Sequence, residues 1–240
     1  MESDTPTAAD TARQLAELKN VFDAQRAAFR LQPNPPAGER QARLGAVCRL
    51  LRENADAMAA AIDEDFGHRS RHETKLLEIF PSLEAAKHAR CRVAQWMCAE
   101  PKGVSVWFWP GKAEVVKQPL GVVGVLAPWN YPLYLSVAPL VSALAAGNRV
   151  ILKPSEFTPR FSGLLARLVA RYFLRDHVAV VNGGVEVARA FAALPFDHLL
   201  FSGSTSVGRE VMRAAAANLT PVTLEPGGEI PRDRCTGFPD

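Results

Sequence analysis

Between residues 9 and 100 the apolar residues recur at helical spacing. Leu15, Leu18, Phe22 and Phe29 form one stripe, and Leu44, Val47, Leu51, Met58 and Ile62 a second. Leu76, Ile79, Leu83 and Trp96 form a third. Steps of three and four residues line up on one side of a helix, so residues 1–103 are expected to be a helical opening. In "QPNPPAGER" the prolines end one helix and a glycine precedes the next. The texture then changes in "GVSVWFWPGKAEVVKQPLG", where two β-rich runs flank Pro110-Gly111. This predicts a hairpin over 104–118. Trp107, Phe108 and Trp109 precede its turn, suited to the chain's own core or, if exposed, to an interface.

From Leu120 onward strand and helix patterns alternate. "LGVVGVLA", "RVILKP", "VAVVNGG", "DHLLFSG" and "PVTLE" read as strands. The segments between them, including 132–146, "GLLARLVARYFL", "VEVARAFAAL" and "STSVGREVMRAAAA", read as helices. Five apolar strands joined by four helices imply βαβ crossovers and a parallel sheet covered on both faces. Right-handed crossovers make this an α/β fold with a doubly wound, Rossmann-like sheet over 119–228. Ligands bind such sheets at the carboxyl ends of the strands.

Composition changes this picture little. The 240 residues are 48% hydrophobic and 22% charged, with formal charge +3. Lys and Arg are scattered and matched by acids, so no basic face points to nucleic acid. Cys48, Cys91, Cys98 and Cys235 form no CxxC pair and stand near no His at metal-ligand spacing. Cys91 and Cys98, seven apart, read as reduced core thiols on one helix face, which fits a cytoplasmic compartment. His68, His72 and His88 lie among charged residues and read as solvated. The polar N-terminus is no secretory signal, and no apolar run reaches the roughly 18 residues of a membrane span.

Chemistry gathers at the strand ends. Pro128 and Pro132 bracket Trp129-Asn130 and stiffen that loop. Asn130 suits either a donor to a developing oxyanion or a helix cap. Lys153 and Glu156 suit the hydroxyls of a ribose, or a surface ion pair. Gly203, Ser204 and Gly208 surround a helix start whose bare amides favour phosphate, or form an ordinary capped turn. The glycines are not spaced as GxGxxG. Glu225, at the end of a strand expected to be buried, suits a general base or a satisfied structural carboxylate.

The order and spacing of "PLGVVGVLAPWNYP", "LVSALAAGNRVILKPSEFTP", "FSGSTSVGREVM" and "VTLEPGG" together resemble the NAD(P)-dependent aldehyde dehydrogenase superfamily. "PWNYP" and the helical opening look most like its coniferyl-aldehyde branch. The resemblance implies oxidation of an aromatic aldehyde to the acid. Asn130 would be the oxyanion donor and Glu225 the general base for the hydrolytic water. Lys153 and Glu156 would hold the adenosine ribose, with Gly203, Ser204 and Gly208 at the pyrophosphate. Trp129 would line the substrate side of the cofactor site. NAD is implied over NADP, because Glu156 repels a 2'-phosphate, although members of that branch use both. The hairpin around Pro110-Gly111 would belong to the oligomerisation element of a homo-oligomer, a dimer or tetramer.

Two features depart from that family. Its nucleophilic Cys lies in a motif beyond position 240, and the polar, charged neighbours of Cys235 do not position a thiol. Pro226 stands where the family has Leu, and is expected to disturb the end of Glu225's strand. Beyond Pro226 only the glycines Gly227 and Gly228 keep the family pattern, so 229–240 reads as a tail outside it, from a frame change or a shortened chain. The implied alternatives are a module that holds NAD without chemistry, or one that pairs with homologues through the hairpin.

Overall fold

The computed structural model describes residues 8–227. Gly228 and the tail, with Cys235, lie outside the described residues.

The opening is helical. Helix α1 (Ala8–Leu31) is followed by α2 (Ala37–Glu53) and α3 (Ala55–Phe66). The second apolar stripe is thus two helices. The break falls at Asn54, whose side chain donates back to the Leu50 carbonyl. Helix α4 (Arg71–Thr74) runs through a π-helical turn (Lys75–Ile79) into α5 (Phe80–Trp96). The wider turn shifts the buried face. Thr74, Glu78 and Ile79 are buried, while Leu76 and Trp96 of the third stripe stand exposed. Cys48 is buried, but Cys91 and Cys98 are exposed, against their reading as core thiols. Cys91 points away from the core, and Cys98 lies past the end of α5.

A small antiparallel hairpin follows, β1 (Glu100–Lys102) against β2 (Ala113–Val115). Its strands lie further from Pro110 than the sequence suggests. The intervening backbone is used in a 3-10 turn (Val106–Phe108), closed by Phe108 N–H to Ser105 and Trp109 N–H to Val106. Trp107, Phe108 and Trp109 are all exposed.

The five-stranded sheet is parallel throughout. It contains β3 (Val122–Leu126), β4 (Arg149–Lys153), β5 (Val178–Val180), β6 (His198–Gly203) and β7 (Val222–Pro226). Their order is β5-β4-β3-β6-β7. The crossovers are α6 (Tyr134–Ala145), α7 (Pro159–Tyr172), α8 (Val185–Ala192) and α9 (Thr205–Ala216). Val123 and Val125 of β3 join a core with α2, α3, α5, α6 and α7. Val122 and Leu126 join the other core, with α1, α8 and α9. Alternate residues of one strand thus serve opposite layers. Gln25, fully buried on α1, donates to the carbonyls of Val150 and Arg175, both at 3.1 Å, and ties that helix to the sheet. No described helix is long and apolar enough to cross a membrane.

Two consequences are measurable. Replacing Gln25 by Ala leaves two inner carbonyls without their donor, so thermal or urea unfolding should show a loss of about 1–3 kcal/mol. His177 lies 3.3 Å from the Arg43 guanidinium, and burial, then Arg43, hold its imidazole below the ordinary 6.5. Burial lowers His198 in the same direction. The unfolded chain therefore takes up these protons first. Their contribution to stability is complete above the ordinary value and shrinks as pH falls below it toward the lowered folded values. The melting temperature should drop on acidification through that window, and His177→Gln should flatten part of the slope.

Candidate functional site

The strand order reverses at β3. From β3 the chain builds outward to β4 and β5, then crosses back so that β6 lies on the other side of β3. The loops after β3 and β6 therefore leave in opposite directions and open a crevice at the carboxyl edge. Four sequence-predicted positions line that edge in strand order. Lys153 ends β4, Asn130 follows β3, Gly203 ends β6 and Glu225 is near the end of β7. Adjacent strands lie roughly 4.8 Å apart, so the outer two stand on strands roughly 14 Å apart.

Asn130 is exposed, and its Oδ1 accepts from the Tyr131 amide at 3.0 Å. It does not cap α6. The first amides there, Leu133 and Tyr134, donate instead to Glu78 Oε2 at 2.8 and 3.1 Å. Asn130 Nδ2 makes no hydrogen bond to a described residue, which leaves a side-chain donor at the crevice. Trp129 beside it is exposed and leans on Phe66, ring centres 6.0 Å apart.

Lys153 is 3% exposed while its partner Glu156 is exposed, so the ion pair is buried on its cationic side only. Its Nζ donates to Glu156 Oε2 and to the Pro154 carbonyl, each at 3.2 Å. Burial lowers the ammonium's pKa, and Glu156 opposes that shift. The pair presents a cation and a carboxylate together, able to donate to and accept from neighbouring hydroxyls.

Ser204 is the N-cap of α9, its Oγ accepting from the Val207 amide at 3.4 Å. The Thr205 and Ser206 amides have no carbonyl partner within the helix, so the positive end of α9 is open. Gly203 and Gly208 have an internal role as well. A side chain on Gly203 would come within 2.5 Å of the Phe201 ring, and one on Gly208 within 3.4 Å.

Glu225 stands opposite Ser202 on β7, an edge strand among the described residues, and is exposed. The enclosed setting expected of a buried strand is absent around it. It lines an open groove of about 400 Å³ with Tyr134, Ala138, His198, Leu200 and Ser202. Pro226 does not break the strand. It pairs with Gly203, and the Gly227 amide continues the ladder to the Gly203 carbonyl at 2.7 Å. Successive amides of a strand point to opposite sides, so the proline nitrogen falls on the open edge, where no ladder bond is needed.

Sequence reasoning missed Arg69 and Glu78, which lie in a helical opening read as free of chemistry. The available signal was an acid flanked by apolar residues in "KLLEIF". Among the described residues no group of three His, Cys, Asp or Glu stands together as a metal site.

The profile of the aldehyde dehydrogenase family matches residues 3–231. The chain is 52% identical over 231 residues to a probable coniferyl aldehyde dehydrogenase of Pseudomonas aeruginosa, covering 96% of this chain and 48% of that protein. A substrate-bound structure of Staphylococcus aureus AldH superposes with TM-score 0.85 at 33% identity, covering 88% of this chain and 46% of the other. A Mycobacterium tuberculosis aldehyde dehydrogenase complexed with NAD+ gives 0.79 at 33% identity, covering 90% and 44%. The chain spans about half the length of the curated relatives it matches. A family match over nearly the whole chain, with 52% identity to a relative along 96% of it, makes the assignment: the chain belongs to the aldehyde dehydrogenase family.

Proposed function

We propose that this chain supplies the NAD-binding and oxyanion-stabilising parts of an aldehyde dehydrogenase acting on an aromatic aldehyde such as coniferyl aldehyde. The observation that carries this is the alignment of Lys153–Glu156, Asn130, the α9 amino end and Glu225 along one sheet edge at the reversal of strand order. The name of the Pseudomonas aeruginosa relative supports the aldehyde, and the NAD+ complex of the Mycobacterium tuberculosis relative supports the cofactor.

The residues present fit a dinucleotide. Lys153 and Glu156 would hold ribose hydroxyls. Ser204 and the open amides of α9 would meet the pyrophosphate, because a helix start attracts anions. NAD, when bound, supplies the hydride acceptor. Asn130 Nδ2 would donate to the aldehyde oxygen as it gains negative charge during thiolate addition, the stage at which a preorganised donor counts most. Glu225, open to solvent in the groove, would take a proton from the water that releases the acid. The thiolate is assigned to none of the described cysteines, since Cys48 is buried and Cys91 and Cys98 belong to α5 and its exit. Cys235 lies outside the described residues. The exposed turn of Trp107, Phe108 and Trp109 would form the contact of a homodimer.

Calorimetry with NAD and NADP tests the reading. NAD should bind, and NADP should bind more weakly because the Glu156 carboxylate would face its 2'-phosphate. Glu156→Gln should narrow that gap about tenfold, the effect of one charge contact worth roughly 1.4 kcal/mol. Absence of NAD binding by the folded wild-type chain would sink the reading.

A further inference from the structure

The loop that carries Asn130 is held from outside the sheet. Arg69 follows α3 and precedes α4, and its side chain is only 7% exposed. Its guanidinium carbon lies 5.0 Å from the centre of the Phe66 ring and 4.6 Å from that of Tyr131. Its Nη1 donates to the Asn130 carbonyl at 2.7 Å. Its Nη2 lies 3.3 Å from Glu73 Oε1 and 3.3 Å from Glu78 Oε1. The contact with Glu78 is an ion pair by proximity rather than an aligned hydrogen bond.

Glu78 completes the arrangement. It is fully buried, and its other oxygen takes the Leu133 and Tyr134 amides that start α6. An ionised carboxylate is costly to bury unless it is paired and hydrogen-bonded, and here it is both. Burial pushes its pKa up, while the Tyr134 amide, Arg69 and the Leu133 amide pull it back. The π-helical turn (Lys75–Ile79) contains Glu78. Such turns are rare and concentrate at functional sites. Around this one the usual pattern inverts, with the carboxylate inside and Leu76 and Leu77 outside. A local breach of patterning with a specific partner set is the mark of a functional constraint.

The two residues grip the loop at both ends. Arg69 fixes the Asn130 main-chain carbonyl, and Glu78 fixes the amides three and four residues later. The Tyr131 amide holds Asn130 Oδ1, so the side-chain amide turns its Nδ2 outward. We propose that Arg69 and Glu78 are positioning residues for the Asn130 donor, orienting the oxyanion site from the helical layer without touching substrate. The proposal rests on the reading of Asn130 as that donor.

The test is hydrogen exchange and 15N NMR on the full chain, comparing wild type with Arg69→Met, Arg69→Lys and Glu78→Gln. In Arg69→Met, exchange at the amides of residues 130, 131, 133 and 134 should rise about tenfold, as expected for loss of a charged hydrogen bond worth roughly 1.4 kcal/mol or more. The sheet amides should be unchanged, and the Asn130 side-chain NH2 signal should shift and broaden. Arg69→Lys keeps the charge and one donor and should restore most of the wild-type signal. Glu78→Gln keeps the shape and an acceptor, so it preserves the fold and tests the charge alone; it should give the same local change in milder form. Unchanged exchange at 130–134 in both Arg69→Met and Glu78→Gln overturns the proposal. So does acceleration spread equally over β3, β4 and β6, which would mark a purely structural role. Calorimetry with NAD separates this result from the parent reading. The variants should bind NAD as wild type does, whereas a wild type that binds no NAD sinks the parent reading and leaves the exchange result standing on its own.

Discussion

Everything at the candidate site depends on β3 being bonded on both edges, to β4 on one side and β6 on the other. All five of its residues are buried, so it must be apolar on both faces and fully paired. At its start two side chains fix the register. Asn148 Oδ1 accepts from the Leu120 and Gly121 amides, and Asp197 Oδ2 accepts from the Val122 amide. Gly121 has a φ of 146°, and a side chain there would overlap Asp197, so only glycine allows that approach. With the entry pinned, the exit loop after Leu126 emerges at a fixed height beside the end of β6. The crevice follows from pairing order, and the residues around it inherit their positions from the strands that carry them.

The helical layer contributes more than cover. Arg40, buried at the end of α6, donates to the Ala145 and Pro35 carbonyls and to Asn34. Arg69 and Glu78 act at the start of the same helix. Buried charge from the opening segment thus meets α6 at both termini, the Glu78 carboxylate on its first amides and the Arg40 guanidinium on the carbonyl of its last residue. This is the polarity that the helix dipole favours. The segment that looked free of chemistry sets the placement of the helix next to the site.

What could be read from the sequence divides by range. The strands after Leu120 were legible because each is a short apolar run with its own turn residues, and the helices because their apolar spacing is local. Lys153 and Glu156, three apart, declare themselves as a pair. The break at Asn54 was hidden because the apolar stripe continues through it. The π-helical turn was hidden because one extra residue shifts the face without altering composition. Arg69 and Asn130 are separated by 61 positions, and Glu78 and Leu133 by 55, so no window on the chain joins them. Pro226 was misjudged for a related reason: its cost depends on whether its strand lies inside the sheet or at the edge, and that is set by the order of all five strands.

The same proline has a consequence for the molecule among its neighbours. An exposed edge strand offers a row of unpaired donors and acceptors that another chain's strand can read. In β7 that row lacks a donor at Pro226, and the residue before it is a solvated carboxylate. A strand approaching this edge meets a missing hydrogen bond beside a charge it would have to desolvate. Pro226 and Glu225 together therefore discourage sheet-to-sheet association at the border that β7 forms among the described residues.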